Sequence, residues 1–158
     1  MRSLGPRRTS VARPGVVAVS AVELKAQALV AGAAVGKVLR LEEPLSFWGG
    51  VDPVSGTIID RRHPRCGESV AGRVLVMPYG RGSSSSSSVL LEGVRLGTAP
   101  AAVVLRELDG ILALGAAVAR ELYEQSPPVL LLAPADWEVL PEGAEAAVEV
   151  SGRLRIAG

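Results

Sequence analysis

The chain has 158 residues, of which 48% are hydrophobic and only 3% aromatic, so its core must consist mainly of aliphatic side chains. This apolar content excludes general disorder, and the length suits one domain or a subunit-sized module. The net charge of +1 provides no strong field for attracting nucleic acid or an acidic membrane, so neither is expected as a partner.

The chain has one cysteine, Cys66, and one histidine, His63. They allow no internal disulfide and cannot complete a structural zinc site, so no metal site is expected on this chain. A reducing, cytoplasmic location is the simplest interpretation. The apolar stretch at residues 26–36 is much shorter than the roughly 20 residues that a membrane-spanning helix needs.

Residues 1–22 contain Pro6, Pro14 and Gly15, which interrupt regular structure. We therefore predict a disordered N-terminal extension over residues 1–22 and a single domain over residues 23–158. The apolar run before residue 22 is short and is followed by charged residues, which disfavours a secretion signal.

The front half of the domain predicts mainly β-structure. Strands are expected at 27–30 and 36–41, joined through Gly32, and a short strand at 56–60. Residues 43–53 predict a glycine-containing loop, in which Trp48 is either a packing residue or the wall of a pocket. His63, in the polar connection after the third strand, is expected to be solvated.

In the back half, strands alternate with helices, which predicts parallel βαβ units and an α/β fold. The expected elements in chain order are a strand at 73–77, a helix at 86–96 ending at Gly97, a strand at 101–105, a helix at 110–124 capped by Asp109, a strand at 129–132, and a terminal strand or hairpin within 147–156.

Six consecutive serines, Ser83 to Ser88, follow Gly80, Arg81 and Gly82. The order of the flanking elements argues against a disordered serine tract. A strand, a glycine turn and a hydroxyl-rich helix start are typical of an anion-binding site, because the first N–H groups of a helix lack partners.

The residues around the serine run disfavour a nucleotide-binding loop but leave two possible roles for Ser83. No lysine follows the glycines, which disfavours a P-loop, and the third glycine of a dinucleotide fingerprint is missing. His63 is the single candidate for the base of a serine hydrolase. Ser83 at a helix start can hold an alkoxide-like state and move a proton, with Arg81 binding a substrate carboxylate; alternatively, Ser83 is only a helix cap.

Two sequence motifs resemble those of the aconitase X swivel domain family, and they occur in the same order as in that family. The upstream motif is residues 44–53, and the downstream motif consists of residues 80–84, 97–102 and 111–115. The resemblance covers about residues 24–132. It implies a swivelling β/β/α domain like the mobile fourth domain of aconitase, which in two-component members is a separate small subunit.

The resemblance also implies a hydro-lyase that works as a heterodimer. The partner would be a large subunit that holds an iron–sulfur cluster or iron, since this chain's single cysteine cannot hold a cluster alone. Ser83 would take the proton from the substrate carbon. The implied substrate-binding residues are Arg81, Gly82, Ser84, Ser85, Gly50 and Asp52.

The loop departs from the aconitase motif at two positions, since Arg81 replaces a glutamate and Ser85 replaces an arginine. This departure disfavours citrate and leaves the elimination of water from another small hydroxy acid. The serine-filled loop and residues 61–64 and 97–124 favour the bacterial cis-3-hydroxy-L-proline dehydratases over the archaeal phosphomevalonate dehydratases. A non-catalytic regulatory module that binds a phosphate or carboxylate is the alternative from another class.

Overall fold

The computed structural model describes residues 22–157, which contain eight strands and three helices. In chain order they are β1 (Val22–Lys25), β2 (Gln27–Val30), β3 (Ala34–Arg40), β4 (Val74–Met77), α1 (Ser86–Leu96), β5 (Ala102–Leu105), α2 (Gly110–Tyr123), β6 (Val129–Leu131), α3 (Pro134–Glu138), β7 (Glu145–Val148) and β8 (Arg153–Ile156). Within the described residues, no helix is long and apolar enough to cross a membrane.

The strands follow the order β1-β8-β7-β3-β4-β5-β6-β2, and the neighbours from β3 to β6 are parallel. β3 passes from one half of the sheet to the other: its first part pairs with β7 and its last part with β4. On the other side, β1 and β2 meet at Ala26 but pair with opposite edges of the sheet. The strands therefore fold back on each other and form two facing layers that nearly close into a barrel.

The alternation of side chains along β4 divides the core into two parts. Val74 and Val76 pack between the two layers of strands, whereas Leu75 and Met77 pack towards α1 and α2. Both faces of β4 are fully buried, as expected for a central parallel strand. The strand, strand and helix layers confirm the predicted α/β class and the β/β/α arrangement that the resemblance implies.

The end of α1 and the start of α2 are set by residues with local backbone preferences, Gly97 and Asp109. Gly97 ends α1 in the left-handed conformation with φ 76°, as a C-terminal glycine commonly does. The Asp109 carboxylate accepts from the backbone N–H groups of Ile111 (2.9 Å) and Leu112 (3.1 Å), which confirms the predicted cap of α2.

α1 and α2 cross closely because two small residues meet at the contact. A Cβ atom added to Gly115 would lie only 3.0 Å from the carbonyl oxygen of Ser87. This close approach holds the first turn of α1 beside the second turn of α2, and the two helix starts lie at the same end of the molecule.

The two strands predicted on either side of Gly32 are present as β2 and β3; β2 pairs with β6, and β3 pairs with β4 and β7. One expectation about the strands is wrong. Residues 56–60 do not form a strand; Thr57 and Ile58 make isolated bridges to Ser69 and Val51 in a compact turn region. The extension predicted over residues 1–22 lies outside the described residues, except that Val22 begins β1.

His63 is buried, so the prediction of a solvated loop histidine is wrong. Its Nδ1 accepts from the backbone N–H of Arg65 (3.0 Å), and its Nε2 lies 3.2 Å from the carbonyl oxygen of Glu43. These bonds fix the polar connection against the loop after β3.

Candidate active-site crevice

The crevice lies at the carboxyl edge of the parallel strands, where open α/β sheets commonly bind ligands. The loop after β4 contributes the glycine–serine segment, and the loop after β5 contributes Asp109. They enclose a narrow crevice. Its walls are formed by Leu45, Phe47, Gly80, Arg81, Gly82, Ser83, Ser86, Asp109, Ile111 and Leu112.

The glycine–serine segment is fixed by backbone hydrogen bonds on both sides of Ser83. The N–H of Arg81 donates to the carbonyl oxygen of Leu45 (3.2 Å), and the carbonyl oxygen of Ser83 accepts from the N–H of Ser86 (2.9 Å). α1 itself begins at Ser86, so Ser83 lies in the turn before the helix rather than at its first residue. The Oγ of Ser83 accepts a long bond of 3.3 Å from the N–H of Ser85.

The same turn leaves several donors free for a ligand. Among residues 22–157, no acceptor bonds the backbone N–H groups of Gly82, Ser83 or Ser84. The exposed Arg81 guanidinium likewise forms no hydrogen bond or ion pair with the described residues. Successive free N–H groups next to a guanidinium make a site for an anionic oxygen, such as a carboxylate or an alkoxide.

The later serines have structural roles that differ from one another. Ser86 is buried, and its Oγ accepts from the backbone N–H of Trp48 (3.2 Å), which ties the loop after β3 to the start of α1. The Oγ of Ser87 donates to the carbonyl oxygen of Ser84 (2.7 Å). Trp48 itself is 58% exposed, so it is not a core residue and lies on the surface beside the start of the helix.

Asp109 is a crevice residue that the sequence predicts only as a cap. One carboxylate oxygen, Oδ1, accepts the two helix N–H groups, while Oδ2 lies against Gly80. A Cβ atom added to Gly80 would lie 1.9 Å from that Oδ2 atom. The absence of a side chain at Gly80 therefore allows the carboxylate to enter the wall of the crevice, a contact that no sequence spacing indicates.

Of the predicted site residues, the structure brings Arg81, Gly82 and Ser83 together in the crevice, and Ser84 and Ser85 follow them in the same turn. Gly50 and Asp52 lie in the neighbouring turn region instead. The Asp52 carboxylate accepts from Val54 N–H (2.9 Å) and the Ser55 hydroxyl (3.2 Å), and Gly50 is buried. Their contact with a substrate stays a prediction.

The described residues do not fit a metal ion or an iron–sulfur cluster. Cys66 is exposed and stands alone, and no group of three or more His, Cys, Asp and Glu side chains within residues 22–157 is arranged to hold a metal. No chemical step is therefore assigned to a metal held by this chain.

Fold and crevice together define an α/β domain of the β/β/α type that presents a glycine–serine turn, with free N–H groups, at an open edge. Comparison with known families specifies this class further. The chain belongs to the aconitase X swivel domain family, whose family description matches residues 23–156. The predicted resemblance is thereby confirmed.

Individual relatives agree with this assignment. The chain is 57% identical over 104 residues to a cis-3-hydroxy-L-proline dehydratase of Pseudomonas aeruginosa, covering 66% of this chain and 18% of that protein. It is 34% identical over 131 residues to a phosphomevalonate dehydratase small subunit of Methanosarcina acetivorans, covering 83% of this chain and 86% of that subunit.

The fold agrees as well. A crystal structure of Thermococcus kodakaraensis aconitase X in its holo-form matches with a TM-score of 0.77 and 33% identity, covering 87% of this chain and 99% of that chain. The chain spans only about a fifth of the length of the curated cis-3-hydroxy-L-proline dehydratases that it matches.

Proposed function

We propose that this chain is the small subunit of an aconitase X-type hydro-lyase and that it supplies the serine which removes a proton during elimination of water. The observation that supports this most directly is the position of Ser83. It follows two glycines in a crevice, beside free backbone N–H groups and an unpaired arginine. Because the crevice is open, the proposed enzyme needs a second chain, the large subunit, and works as a heterodimer in the cytoplasm.

The proposed step is a β-elimination. Ser83 in an alkoxide-like state takes a proton from the substrate carbon, the electron pair of the broken C–H bond forms a C=C bond, and the C–O bond breaks. The hydroxyl group leaves as hydroxide and takes up the proton that Ser83 has accepted, so that water is released and the alkoxide-like state of Ser83 is restored. The free N–H groups around Ser83 stabilise negative charge on oxygen, and Arg81 binds the substrate carboxylate. An iron–sulfur cluster or iron is proposed only for the large subunit.

The proposed substrate is cis-3-hydroxy-L-proline. The 57% identity to the Pseudomonas aeruginosa dehydratase of that name favours it, and the matched segment includes most of the domain. Phosphomevalonate is the second candidate. It is favoured by a different observation, which is that the archaeal relatives with that activity in their names are separate small subunits and match most of this chain.

The test is reconstitution with the large subunit from the same source, followed by assays of water elimination from both compounds. We expect turnover of cis-3-hydroxy-L-proline by the pair and by neither chain alone. Turnover of phosphomevalonate instead would overturn the proposed substrate and leave the reaction class intact.

The serine is tested with a matched pair of variants. Ser83→Ala should lower kcat of the pair by about 10²- to 10⁴-fold, the usual contribution of a positioned proton acceptor. Ser151→Ala, at an exposed serine in the turn between β7 and β8, should leave kcat unchanged. If Ser83→Ala retained full activity, or if the chain formed no complex with any large subunit but bound phosphate or a carboxylate, the non-catalytic binding module would replace the enzyme proposal.

A further inference from the structure

The helix α2 has apolar side chains on its exposed side as well as on its buried side. Its first ten residues, 110–119, contain no charged or polar side chain. Leu112 and Ala116 pack in the core, whereas Leu114 is 59% exposed and Leu122 is 61% exposed. A helix that is apolar on all sides is normally covered by other protein.

The exposed apolar residues of α2 form a continuous stripe. Leu114, Val118 and Leu122 are spaced by four residues, so their side chains lie above one another on the same face. Beside them, a groove of about 220 Å³ lies between α2 and α1. It is lined by Ser87, Ser88, Leu91, Leu114, Gly115 and Val118, and none of these residues is charged.

The stripe is continuous with the crevice at the carboxyl edge. Ile111 lines the crevice, and Leu114 lines the groove one helical turn further along. A body that covers the stripe therefore also reaches the opening of the crevice. The exposed side chains of Trp48, on the loop after β3 that bonds Ser86, and of Leu108, on the loop that leads into α2, lie at that same end.

We propose that the stripe formed by Leu114, Val118 and Leu122, with the adjoining groove, is the docking surface for the large subunit, an inference that rests on the proposed function. In the curated dehydratases the matching region is about a fifth of one long polypeptide, so the remaining four fifths are available to cover this face. One partner then closes the crevice and covers the apolar helix at once.

A protein partner needs a contact surface larger than the stripe alone. A specific interface buries roughly 800 Å² on each partner, which three side chains cannot supply. The contact must therefore extend from the stripe across the crevice opening to Trp48 and Leu108. A second copy of this chain could also cover the stripe, but it is not the second chain that the proposed function requires.

The experiment measures the dissociation constant of the full chain and its large subunit by titration calorimetry. Leu114→Glu and Leu122→Glu introduce a charge at exposed positions, and Val150→Glu is the matched control, since Val150 is 63% exposed in the turn between β7 and β8. Circular dichroism and thermal unfolding establish that each variant is folded. Leu114→Ser serves as a milder variant at the same position.

We expect Leu114→Glu to raise the dissociation constant at least 10-fold and Leu114→Ser to raise it less, as for residues at the centre of an interface. Val150→Glu should leave it within about twofold. Because the contact is apolar, raising the salt concentration should weaken binding of the unchanged chain only slightly.

Three results are decisive in different ways. Tight binding by both Leu114→Glu and Leu122→Glu would overturn the docking surface while leaving the proposed function intact. Failure of the unchanged chain to bind the large subunit would overturn both. Self-association of the unchanged chain that Leu114→Glu abolishes, together with unchanged binding of the large subunit, would assign the stripe to a second copy instead.

Discussion

The β7–β8 hairpin and the α1–α2 layer lie on opposite sides of the molecule and have opposite kinds of surface. On the hairpin side, exposed charges pair with one another: the Arg155 guanidinium lies 3.3 Å from the carboxylates of both Glu23 and Glu149. On the helix side, the exposed residues of α2 include Leu114 and Leu122. Charged pairs of this kind keep a surface compatible with water, whereas a row of leucines does not.

This difference shows that the hairpin side of the domain is suited to contact with water, whereas the helix side is suited to contact with another protein. The strand layers enclose their own core, and the charged residues of the hairpin need no further partner. The helix layer packs its inner face equally well, yet its outer face and the adjoining crevice are open. The predictions that follow change residues of one region at a time and ask whether stability or activity responds.

The largest effect on stability is expected from Trp137→Ala. Trp137 is fully buried between the strand layers, donates its indole N–H to the carbonyl oxygen of Met77 (3.2 Å), and stacks with Arg40 at 4.3 Å from the ring centroid. Its loss should lower the free energy of unfolding by about 3–5 kcal/mol in urea titrations. Trp48→Ala is the control, and because Trp48 is exposed we expect a change below about 1 kcal/mol. Equal effects would contradict the assignment of the two tryptophans to core and surface.

A second prediction concerns the contact that shapes the crevice. Gly80→Ala places a methyl group against the Asp109 carboxylate, and we expect a loss of about 1–3 kcal/mol of stability from overpacking, with a fall in kcat of the reconstituted pair. In the double variant with Asp109→Ala, the added methyl group should cost less than it does alone. Strictly additive losses in this double-mutant cycle would show that the two residues do not interact.

The cap of α2 should give a smaller effect. Asp109→Ala removes the acceptor of two helix N–H groups and should cost about 1 kcal/mol, whereas Asp109→Asn retains an acceptor oxygen and should cost less. Chemical denaturation of the two variants separates the values. A larger loss for Asn than for Ala would argue against the capping role.

The smallest effect is expected at Glu142, which joins the last strands to the loop after residue 60. Burial raises the pKa of its carboxyl group, but hydrogen bonds from the guanidinium of Arg65 (2.9 Å) and the backbone N–H of Arg40 (2.6 Å) outweigh burial and lower the pKa below the ordinary value of 4.5. A carboxylate with a lowered pKa in the folded state stabilises the protein above the unfolded pKa and loses this effect as the pH falls through the folded value.

Glu142→Gln should therefore reduce stability at pH 7 by less than about 1 kcal/mol, because the pair is partly exposed to solvent. It should also flatten the decline of stability at pH values below 4.5, the ordinary glutamate value. Thermal unfolding between pH 7 and pH 3 measures both effects. A steeper acid decline in the variant than in the unchanged chain would contradict this role.

The sequence predicts the elements whose signals are local. The apolar runs at β4, β5 and β6 identify buried strands, and Asp109 and Gly97 mark a helix start and a helix end by their own backbone preferences. The glycine–serine turn is recognisable for the same reason, since the glycines and the serines that form it are consecutive.

Features that depend on long-range pairing are not predictable in this way. The partner of the short strand β2 is β6, about a hundred residues later, and nothing in its four residues distinguishes β6 from β3. The contact between Gly80 and Asp109 likewise joins loops from two different strands. His63 is buried because Glu43 and Arg65 both bond its ring, an arrangement that its polar neighbours in sequence do not indicate.

The pairing of β1 with β8 brings the first and last strands of the domain together, which affects how the domain can be joined to another polypeptide. Val22 lies opposite Ile156, so the first and last strands leave the domain side by side, in the layer of strands that faces away from α1 and α2. A peptide link at either end would therefore leave the domain on the side away from α1 and α2, and the helices would be free to face another body. Fusion of genes, or their separation, would thus preserve the same geometry. The domain can be one segment of a long polypeptide in some relatives and an independent gene product in others.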